Sequence, residues 1–280
     1  MKKEQKIYEG NIKIERDNVK EWEEKLKDVE KITGYLSIYS NVELPKLTSV
    51  GGDLSINSNV ELPKLTSVGG DLSIYSNVEL QAPKLTSVGG DLYISSNVEL
   101  PKLTSVGGDL YIYSKISISL EKRLWGKNRK KGNKWIVCDL VSDWLLERLS
   151  KIEKSEFRID NVIFDYPLFR KIRDKEITAK EVFSIKNIEQ RRVAYSKMPK
   201  EKMKELDYKI LDEVENDGYG YSMKIYSFEL EGFNSPFYFL NCFCPSTGRE
   251  FMLETRQISC WKAKMNSFGL NEKERFIKEW

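Results

Sequence analysis

The side chains best suited to bind a metal ion in this 280-residue chain are its four cysteines. They are Cys138, Cys242, Cys244 and Cys260, and together they could supply four thiolates to zinc. Structural zinc sites, however, usually take their ligands from Cys-x2-Cys pairs, whereas Cys242 and Cys244 fall on one face of a predicted strand. We therefore predict buried free thiols, with neither a metal nor another cofactor.

Catalytic residues are harder to find, because the chain contains no histidine. This excludes Ser-His-Asp triads, histidine-based zinc proteases and the most common general base at neutral pH. Ser259 and Lys262 match the Ser-x-x-Lys pattern of some acyl-enzymes, but the partner motifs of that pattern are missing. An acidic run could serve a hydrolase but is typical of a solvated turn. It consists of Asp212, Glu213, Glu215 and Asp217. No catalytic residue is assigned.

Positive charge is concentrated between residues 121 and 135. The whole chain has a net charge of +3, whereas this segment alone contains seven basic residues and one acidic residue. The basic residues are Lys122, Arg123, Lys127, Arg129, Lys130, Lys131 and Lys134. With Trp125 and Trp135 between them, they could neutralise phosphates and stack on a base. A glycine-containing, lysine-rich stretch is also typical of an exposed loop between domains, so nucleic-acid binding is one of two interpretations of this basic connector.

The elements that must position these residues begin with a set of near-identical repeats. The segment LTSVGGDLSINSNVELPK starts at Leu47 and then again at Leu65, Leu85 and Leu103. Such a period is typical of a solenoid. Leu54 and Ile56 alternate with polar residues, which predicts a strand with one buried face in every repeat. The Gly-Gly pair before each strand indicates a sharp turn with no room for a side chain.

The repeat pattern weakens toward both ends. Residues 10–14 and 33–38 have a weakened form of the repeat pattern and are predicted to be degenerate coils of the solenoid. A helix is predicted between them over 17–29, with Asp17 as its N-cap. Ile116 and Ile118 are expected to close the other end.

Side chains that flank the buried strand residues form columns on the outer face of the repeats. Within a column, the residues of neighbouring strands are about 4.8 Å apart. One column consists of aspartates, which we expect to complete the Gly-Gly-Asp turns, and the columns of Glu61 and Lys64 are expected to form a solvated edge. Two further columns mix tyrosine with serine and asparagine. That composition is typical of adaptable binding surfaces, although it also suits merely soluble strands. The candidate protein-binding residues are Tyr39, Asn57, Tyr75, Tyr93, Tyr111 and Tyr113.

From Trp135 onward the repeats are absent, and the pattern predicts helices followed by strands. A capping box formed by Thr178 and Glu181 begins a helix expected to run to about Lys197. Four strand-like runs follow, over 208–214, 221–230, 237–243 and 250–255. Charged residues alternate near the last of them and could pair across a hairpin or line a ligand site. The residues of this C-terminal candidate site are Arg249, Glu250 and Arg256.

Two resemblances add expectations. The repeats resemble the receptor L-domain type of leucine-rich repeat over about residues 8–120, with the consensus Leu-Pro-x-Leu-x-x-Val-Gly-Gly-Asp-Leu-x-Ile-x-x-Asn. This resemblance implies a fold rather than a function. The motifs Cys-Pro-Ser-Thr-Gly-Arg-Glu from Cys244, Trp-Lys-Ala from Trp261 and Ser-Phe-Gly-Leu from Ser267 are similar to a bacterial domain of unknown function. That domain is found joined to Val-Gly-Gly-Asp-Leu repeats. This likeness covers about residues 155–280 and implies no catalytic residues.

The sequence thus predicts an α+β protein with three parts. Residues 1–120 form a leucine-rich-repeat β-solenoid with an N-terminal cap, 121–135 the basic connector, and 136–280 a separate α+β domain with a small antiparallel sheet. The leading hypothesis is a non-enzymatic scaffold or adaptor that binds a partner protein through the strand face. The alternatives are an enzyme of unrecognised type in 136–280 and a nucleic-acid accessory protein that uses Lys127, Arg129, Lys130 and Lys131. With no run typical of a signal peptide or a membrane span, we expect a cytoplasmic location and no membrane partner.

Overall fold

The computed structural model describes residues 5–128, 132–214, 222–231, 236–244 and 249–255, the last of these by their backbone alone. It contains helices, parallel sheets and an antiparallel sheet, so the predicted mixture of helix and strand is confirmed. The chain divides into two compact units, Met1–Arg158 and Ile159–Trp280.

The first unit consists mainly of very short strands, two or three to each repeat. Its elements are β1 (Ile7–Tyr8), β2 (Ile12–Ile14), α1 (Val19–Leu26), β3 (Lys31–Ile32), β4 (Leu36–Ile38), β5 (Ser49–Val50), β6 (Leu54–Ile56), β7 (Val60–Glu61), β8 (Ser67–Val68), β9 (Leu72–Ile74), β10 (Leu80–Gln81), β11 (Ser87–Val88), β12 (Leu92–Ile94), β13 (Ser105–Val106), β14 (Leu110–Ile112), α2 (Ile118–Asn128), β15 (Trp135–Cys138), α3 (Asp143–Leu149) and β16 (Ser155–Ile159).

Successive repeats pair in parallel to form two main sheets, and β7 pairs with β10 in a third, two-stranded one. The long sheet runs in the order β2, β4, β6, β9, β12, β14, and a second sheet runs β1, β3, β5, β8, β11, β13. In each strand of the long sheet the first and third residues, such as Leu54 and Ile56, are fully buried, and the middle one is half-buried except in β2, where Lys13 is exposed. The predicted strands and their buried face are confirmed. The two-residue insertion Gln81-Ala82 does not disturb the register, since Leu72 still pairs with Leu92.

The glycine pairs are required because consecutive repeats approach each other closely. A Cβ atom on Gly69 would lie 2.1 Å from the carbonyl oxygen of Gly51, and one on Gly70 would lie 2.0 Å from Oδ1 of Asp53. Both distances are far below van der Waals contact. The same clash recurs in the following copies, so any side chain at these positions would push two repeats apart.

The long sheet continues beyond the repeats, where the sequence had indicated a connector. Strand β15 pairs with β14 and β16 pairs with β15, both in parallel. The expectation of an exposed loop over 121–135 is wrong for its described part, because 118–128 form helix α2, with Leu120 and Leu124 fully buried on one face. The lysines obscured this pattern. The compact unit ends at Arg158, whereas the sequence pattern changes at about residues 120 and 136.

The outer edge of the first strand of the long sheet is covered by a side chain from the segment before helix α1. Asn18, not Asp17, precedes α1, and its side chain makes no cap to that helix. Instead, Asn18 Oδ1 accepts from the N–H of Glu15 at 2.8 Å and Nδ2 donates to the carbonyl oxygen of Lys13 at 3.1 Å. These are backbone groups at the outer edge of β2, so this edge is partly closed to strand pairing.

The second unit combines short helices with an antiparallel sheet. Its elements are β17 (Val162–Phe164), α4 (Tyr166–Arg173), α5 (Ala179–Ser184), α6 (Ile188–Lys197), a 3-10 helix (Lys200–Glu205), β18 (Tyr208–Val214), β19 (Ser222–Phe228), β20 (Phe237–Cys244) and β21 (Arg249–Thr255). The sheet runs in the order β18, β19, β20, β21. The predicted small antiparallel sheet is confirmed.

One helix of this unit is shorter than the sequence indicated. The capping box of Thr178 and Glu181 is present, but α5 ends at Ser184 and α6 begins after Asn187, whose side chain caps it. The predicted single helix to Lys197 is therefore wrong. The break turns Ile188 outward to 43% exposure, while Phe183 is fully buried and contacts Phe228 and Phe237.

Candidate functional site

Two tyrosines of neighbouring repeats form a stacked pair on the outer face of the long sheet. Tyr93 and Tyr111 are register partners on β12 and β14, and their rings lie 4.2 Å apart with an interplanar angle of 14°. Tyr113, the residue after strand β14, has its ring centre 6.4 Å from that of Tyr111. The three rings form one continuous aromatic surface, each of them half-buried. We call Tyr93 and Tyr111 the tyrosine pair.

An aspartate fixes the orientation of the tyrosine pair. The hydroxyl of Tyr93 donates to Oδ2 of Asp91 at 3.1 Å. Burial, with hydrogen bonds to Tyr111 and Asp91, raises the pKa of Tyr93 above the ordinary value of a tyrosine. Tyr93 is therefore neutral at physiological pH, and its ring is held in place before any partner binds.

A second set of tyrosines lies in a single column along the same face. Five residues occupy the same position, directly after successive strands, and each N–H donates to an isoleucine carbonyl oxygen on the preceding strand at 2.8–3.1 Å. We call this set the tyrosine column; its members are Tyr39, Asn57, Tyr75, Ser95 and Tyr113. Tyr39 and Tyr75 are 50% and 51% exposed. Large aromatic side chains thus alternate with small polar ones along the column.

The outer face ends beyond the tyrosine pair. Ile136 is the register partner of Tyr111 and is only 1% exposed. Next to it, Glu156 forms ion pairs with Lys134 and Arg158. Burial alone would raise the pKa of Glu156, but the hydrogen bonds from these two cations lower it instead. The accessible part of the face therefore extends from β2 to β14.

The aspartate column has a structural role. Oδ1 of Asp53, Asp71 and Asp91 accepts the N–H of the aspartate in the next repeat at 2.9, 2.7 and 2.7 Å, and Asp109 accepts from Lys134 at 2.8 Å. In the first coil Asn11 takes this position and accepts from Tyr35 at 3.1 Å. These side chains join consecutive repeats rather than complete their own turns, so they are not free to bind a ligand through those oxygens.

A groove on another side of the repeats was not anticipated from the sequence. It has a volume of about 570 Å³ and is lined by Glu61, which we expected to be merely solvated, together with apolar and further acidic residues. The acidic ones are Glu23, Glu43 and Glu79. The N–H of Glu43 donates to Glu23 at 3.2 Å, and that of Glu79 to Asn59 at 2.9 Å. These contacts stabilise the coils, and nothing in the groove indicates a ligand.

The basic connector contributes more to packing than the sequence indicated. Arg123 donates to the carbonyl oxygen of Leu100 at 3.1 Å, and Lys134 pairs with Glu156. Trp135 is 1% exposed and lies 6.0 Å from Trp125, which leaves it no face for a base. The remaining nucleic-acid candidates lie outside the described side chains. They are Lys127, Arg129, Lys130 and Lys131.

The C-terminal candidates fall largely outside the described residues. Arg249 and Glu250 lie on β21, of which only the backbone is described, and Arg256 lies beyond it. Of the acidic run, Glu213 pairs with Lys224 across the strands β18 and β19. Of the possible zinc ligands, Cys138 is a buried free thiol, and burial raises its pKa. Among the described side chains, no group of three or more potential metal ligands comes together.

Comparison with protein-family models, with curated proteins and with solved structures found no match to this chain. Its function has to be inferred from its own surface. Within the described ranges, no helix combines the length and the apolar character that crossing a bilayer requires.

Proposed function

We propose that the chain is an interaction protein whose repeats form a leucine-rich-repeat solenoid and bind a partner protein through the outer face. The binding residues are those of the tyrosine pair and the tyrosine column. The setting we propose is the cytoplasm, with which the free, buried thiol of Cys138 is compatible.

The observation that carries this proposal is the stacked tyrosine pair on an otherwise polar face. In the earlier repeats its positions are occupied by Ser55 and Ser73, so the fold does not require aromatic rings there. Tyrosine provides a large contact area with few rotatable bonds. Because Tyr93 is already held by Asp91 and Tyr111, its ordering costs little when a partner binds.

The shape and chemistry of the face favour a macromolecular partner. It is an open surface that spans several strands, whereas small-molecule sites are usually concave pockets. Apart from the ion pair of Lys13 and Glu15 at its β2 end, its side chains are hydroxyls, amides and rings, and its carboxylates accept backbone N–H groups. This arrangement suits contact and hydrogen bonding rather than proton transfer.

The repeats themselves supply variants that test the proposal. Tyr93→Ser combined with Tyr111→Ser restores the residue found at this position in the earlier repeats, so the coils should still fold. The matched control is Glu61→Gln, taken from Gln81 at the same position of another repeat. Proteins captured from an extract of the native host by wild type and variants would be quantified by mass spectrometry.

We expect a specifically captured protein to be lost with the double serine variant and retained with Glu61→Gln. Capture that is equal for wild type and the double variant would contradict the proposal, as would loss that occurs only with Glu61→Gln.

A further inference from the structure

We propose that the segment bound along the tyrosine column is a proline-rich chain in the polyproline II conformation, lying perpendicular to the strands. This inference rests on the proposed function and specifies the chemistry of the partner. It depends on the repeat distance of the column, on the small residues between its tyrosines and on an amide without a hydrogen-bond partner.

The repeat distance of the column matches one type of chain. Tyr39, Tyr75 and Tyr113 directly follow every second strand of the order β4, β6, β9, β12, β14. Adjacent strands are about 4.7–4.9 Å apart, so the tyrosines recur at about 9.4–9.8 Å. A polyproline II helix rises about 3.1 Å per residue with three residues per turn, which gives a repeat of about 9.3 Å. Every third residue of such a chain therefore meets the column in the same way.

Other peptide conformations fit this spacing less well. Side chains on one face of an extended strand recur at about 6.6–6.8 Å, well short of the tyrosine spacing. Two turns of an α-helix span about 10.8 Å and would be out of register by 2 Å or more over the column. Strand addition at the β2 edge is opposed by Asn18, which already bonds backbone groups of Lys13 and Glu15.

The small residues create slots between the tyrosines. Asn57 lies between Tyr39 and Tyr75, and Ser95 between Tyr75 and Tyr113. The Nζ atom of Lys13, on the neighbouring strand β2, lies 5.2 Å from the centre of the Tyr39 ring and covers one of its faces. The opposite face is left toward the first slot. Two aromatic walls about 9.6 Å apart leave roughly 6 Å between their surfaces, enough for a pyrrolidine ring.

The hydrogen-bonding capacity at the first slot also suits a polyproline II chain. Nδ2 of Asn57 is buried, and among the described residues it has no hydrogen-bond partner. A polyproline II chain makes no internal hydrogen bonds, so its carbonyl oxygens need donors. Rotation of the Asn57 amide toward a carbonyl oxygen above it would satisfy both groups. Such a chain is also preformed, which lowers the entropy lost on binding.

The test uses a fluorescently labelled nonaproline peptide and the full chain, with binding measured by anisotropy. The column from Tyr39 to Tyr113 is about 19 Å long, the length of about six polyproline II residues, so nine residues span it. A Gly-Ser peptide of equal length is the control ligand. Tyr75→Asn removes the wall shared by both slots and copies Asn57, while Ser95→Tyr fills the second slot. Tyr35→Asn is the control variant, since Tyr35 is exposed on the same face outside the column.

We expect saturable binding of nonaproline but not of the Gly-Ser peptide. Affinity should fall about tenfold or more with Tyr75→Asn, the loss typical of an aromatic anchor, and change little with Tyr35→Asn. Ser95→Tyr should weaken binding although it adds an aromatic ring. This last result separates filling of a slot from a general preference for aromatic surface.

Absence of saturable nonaproline binding, or equal affinity of wild type and Ser95→Tyr, would overturn the inference. If nonaproline does not bind but the variant with Tyr93→Ser and Tyr111→Ser still loses a captured protein, only the polyproline assignment is wrong. If both experiments fail, the outer face is not an interaction surface.

Discussion

At the scale of single residues, the tyrosine pair is the part of the face whose chemistry is most constrained. Stacking on Tyr111 and the hydrogen bond to Asp91 both stabilise the neutral, protonated form of Tyr93. This has a measurable consequence for stability at alkaline pH, because the folded and unfolded chains bind protons differently.

The free energy of unfolding should fall as the pH rises above about 10, the pKa of an unfolded tyrosine. Burial and hydrogen bonding raise the pKa of Tyr93 in the folded chain, so the unfolded chain loses this proton first. The contribution is fully present below about pH 10 and is lost as the pH approaches the raised pKa. Urea titrations from about pH 9 to 12 should show a smaller fall for Tyr93→Phe than for wild type. Equal falls would contradict this role; Tyr39→Phe, an exposed ring outside the pair, is the control.

The aspartate column gives a second prediction at this scale. Asp91→Ala removes the acceptor of the Asp109 N–H and should lower the free energy of unfolding by about 1–3 kcal/mol. Asp91→Asn keeps an oxygen at that position and should cost much less, because Asn11 performs the same task in the first coil. Chemical denaturation compares the two variants. Similar losses for both would show that the charge, rather than the hydrogen bond, matters.

At the scale of elements, the close approach of consecutive repeats determines which glycine positions tolerate a side chain. Gly90→Ala would place a Cβ atom 2.1 Å from Oδ1 of Asp71 and 2.9 Å from a backbone carbon of Gly70. We expect it to lower the free energy of unfolding by about 1–3 kcal/mol or more, since backbone must move. Gly126→Ala, in helix α2 with no atom within 4 Å, should instead stabilise the chain by about 0.5–1 kcal/mol. Thermal or urea unfolding should show opposite signs, and destabilisation by both would contradict this account.

The elements that the sequence predicts well are those whose pattern is local. Alternation of Leu54, Ser55 and Ile56 suffices for the strand, because one face is buried in every coil. Strand β15 was missed because all four of its residues are buried, so it shows no alternation. Helix α2 was missed because basic residues and Gly126 follow Leu120 and Leu124, a composition that suits an exposed loop. The break after Ser184 was missed because Val182, Ile185 and Ile188 have helical spacing, although the chain is extended at Ile185.

Part of the candidate site was predictable because it, too, depends on the local repeat pattern. The column positions follow from the repeat, so the sequence could place Tyr39, Tyr75 and Tyr113 on one face. It could not show that Tyr93 and Tyr111 stack, that Ile136 closes the face, or that Asn57 has an amide without a partner. These properties depend on side-chain conformations and on strands that follow the repeats.

At the scale of the whole molecule, the first unit combines a nearly constant scaffold with a variable face. Buried positions repeat leucine, isoleucine and valine from coil to coil, while the outer positions change between serine, asparagine and tyrosine. The face can therefore vary without loss of the core. We infer that selection of a partner depends on which coils have tyrosine.

The most direct test of the central claim is photo-crosslinking from two positions of the repeats in the native host. A benzoylphenylalanine is placed either at Ser73, on the outer face beside Tyr93, or at Glu61, in the acidic groove. The proposed function predicts a discrete crosslinked protein from position 73 and none from position 61. Crosslinks that form only from position 61, or no crosslink from position 73 in a folded variant, would contradict it.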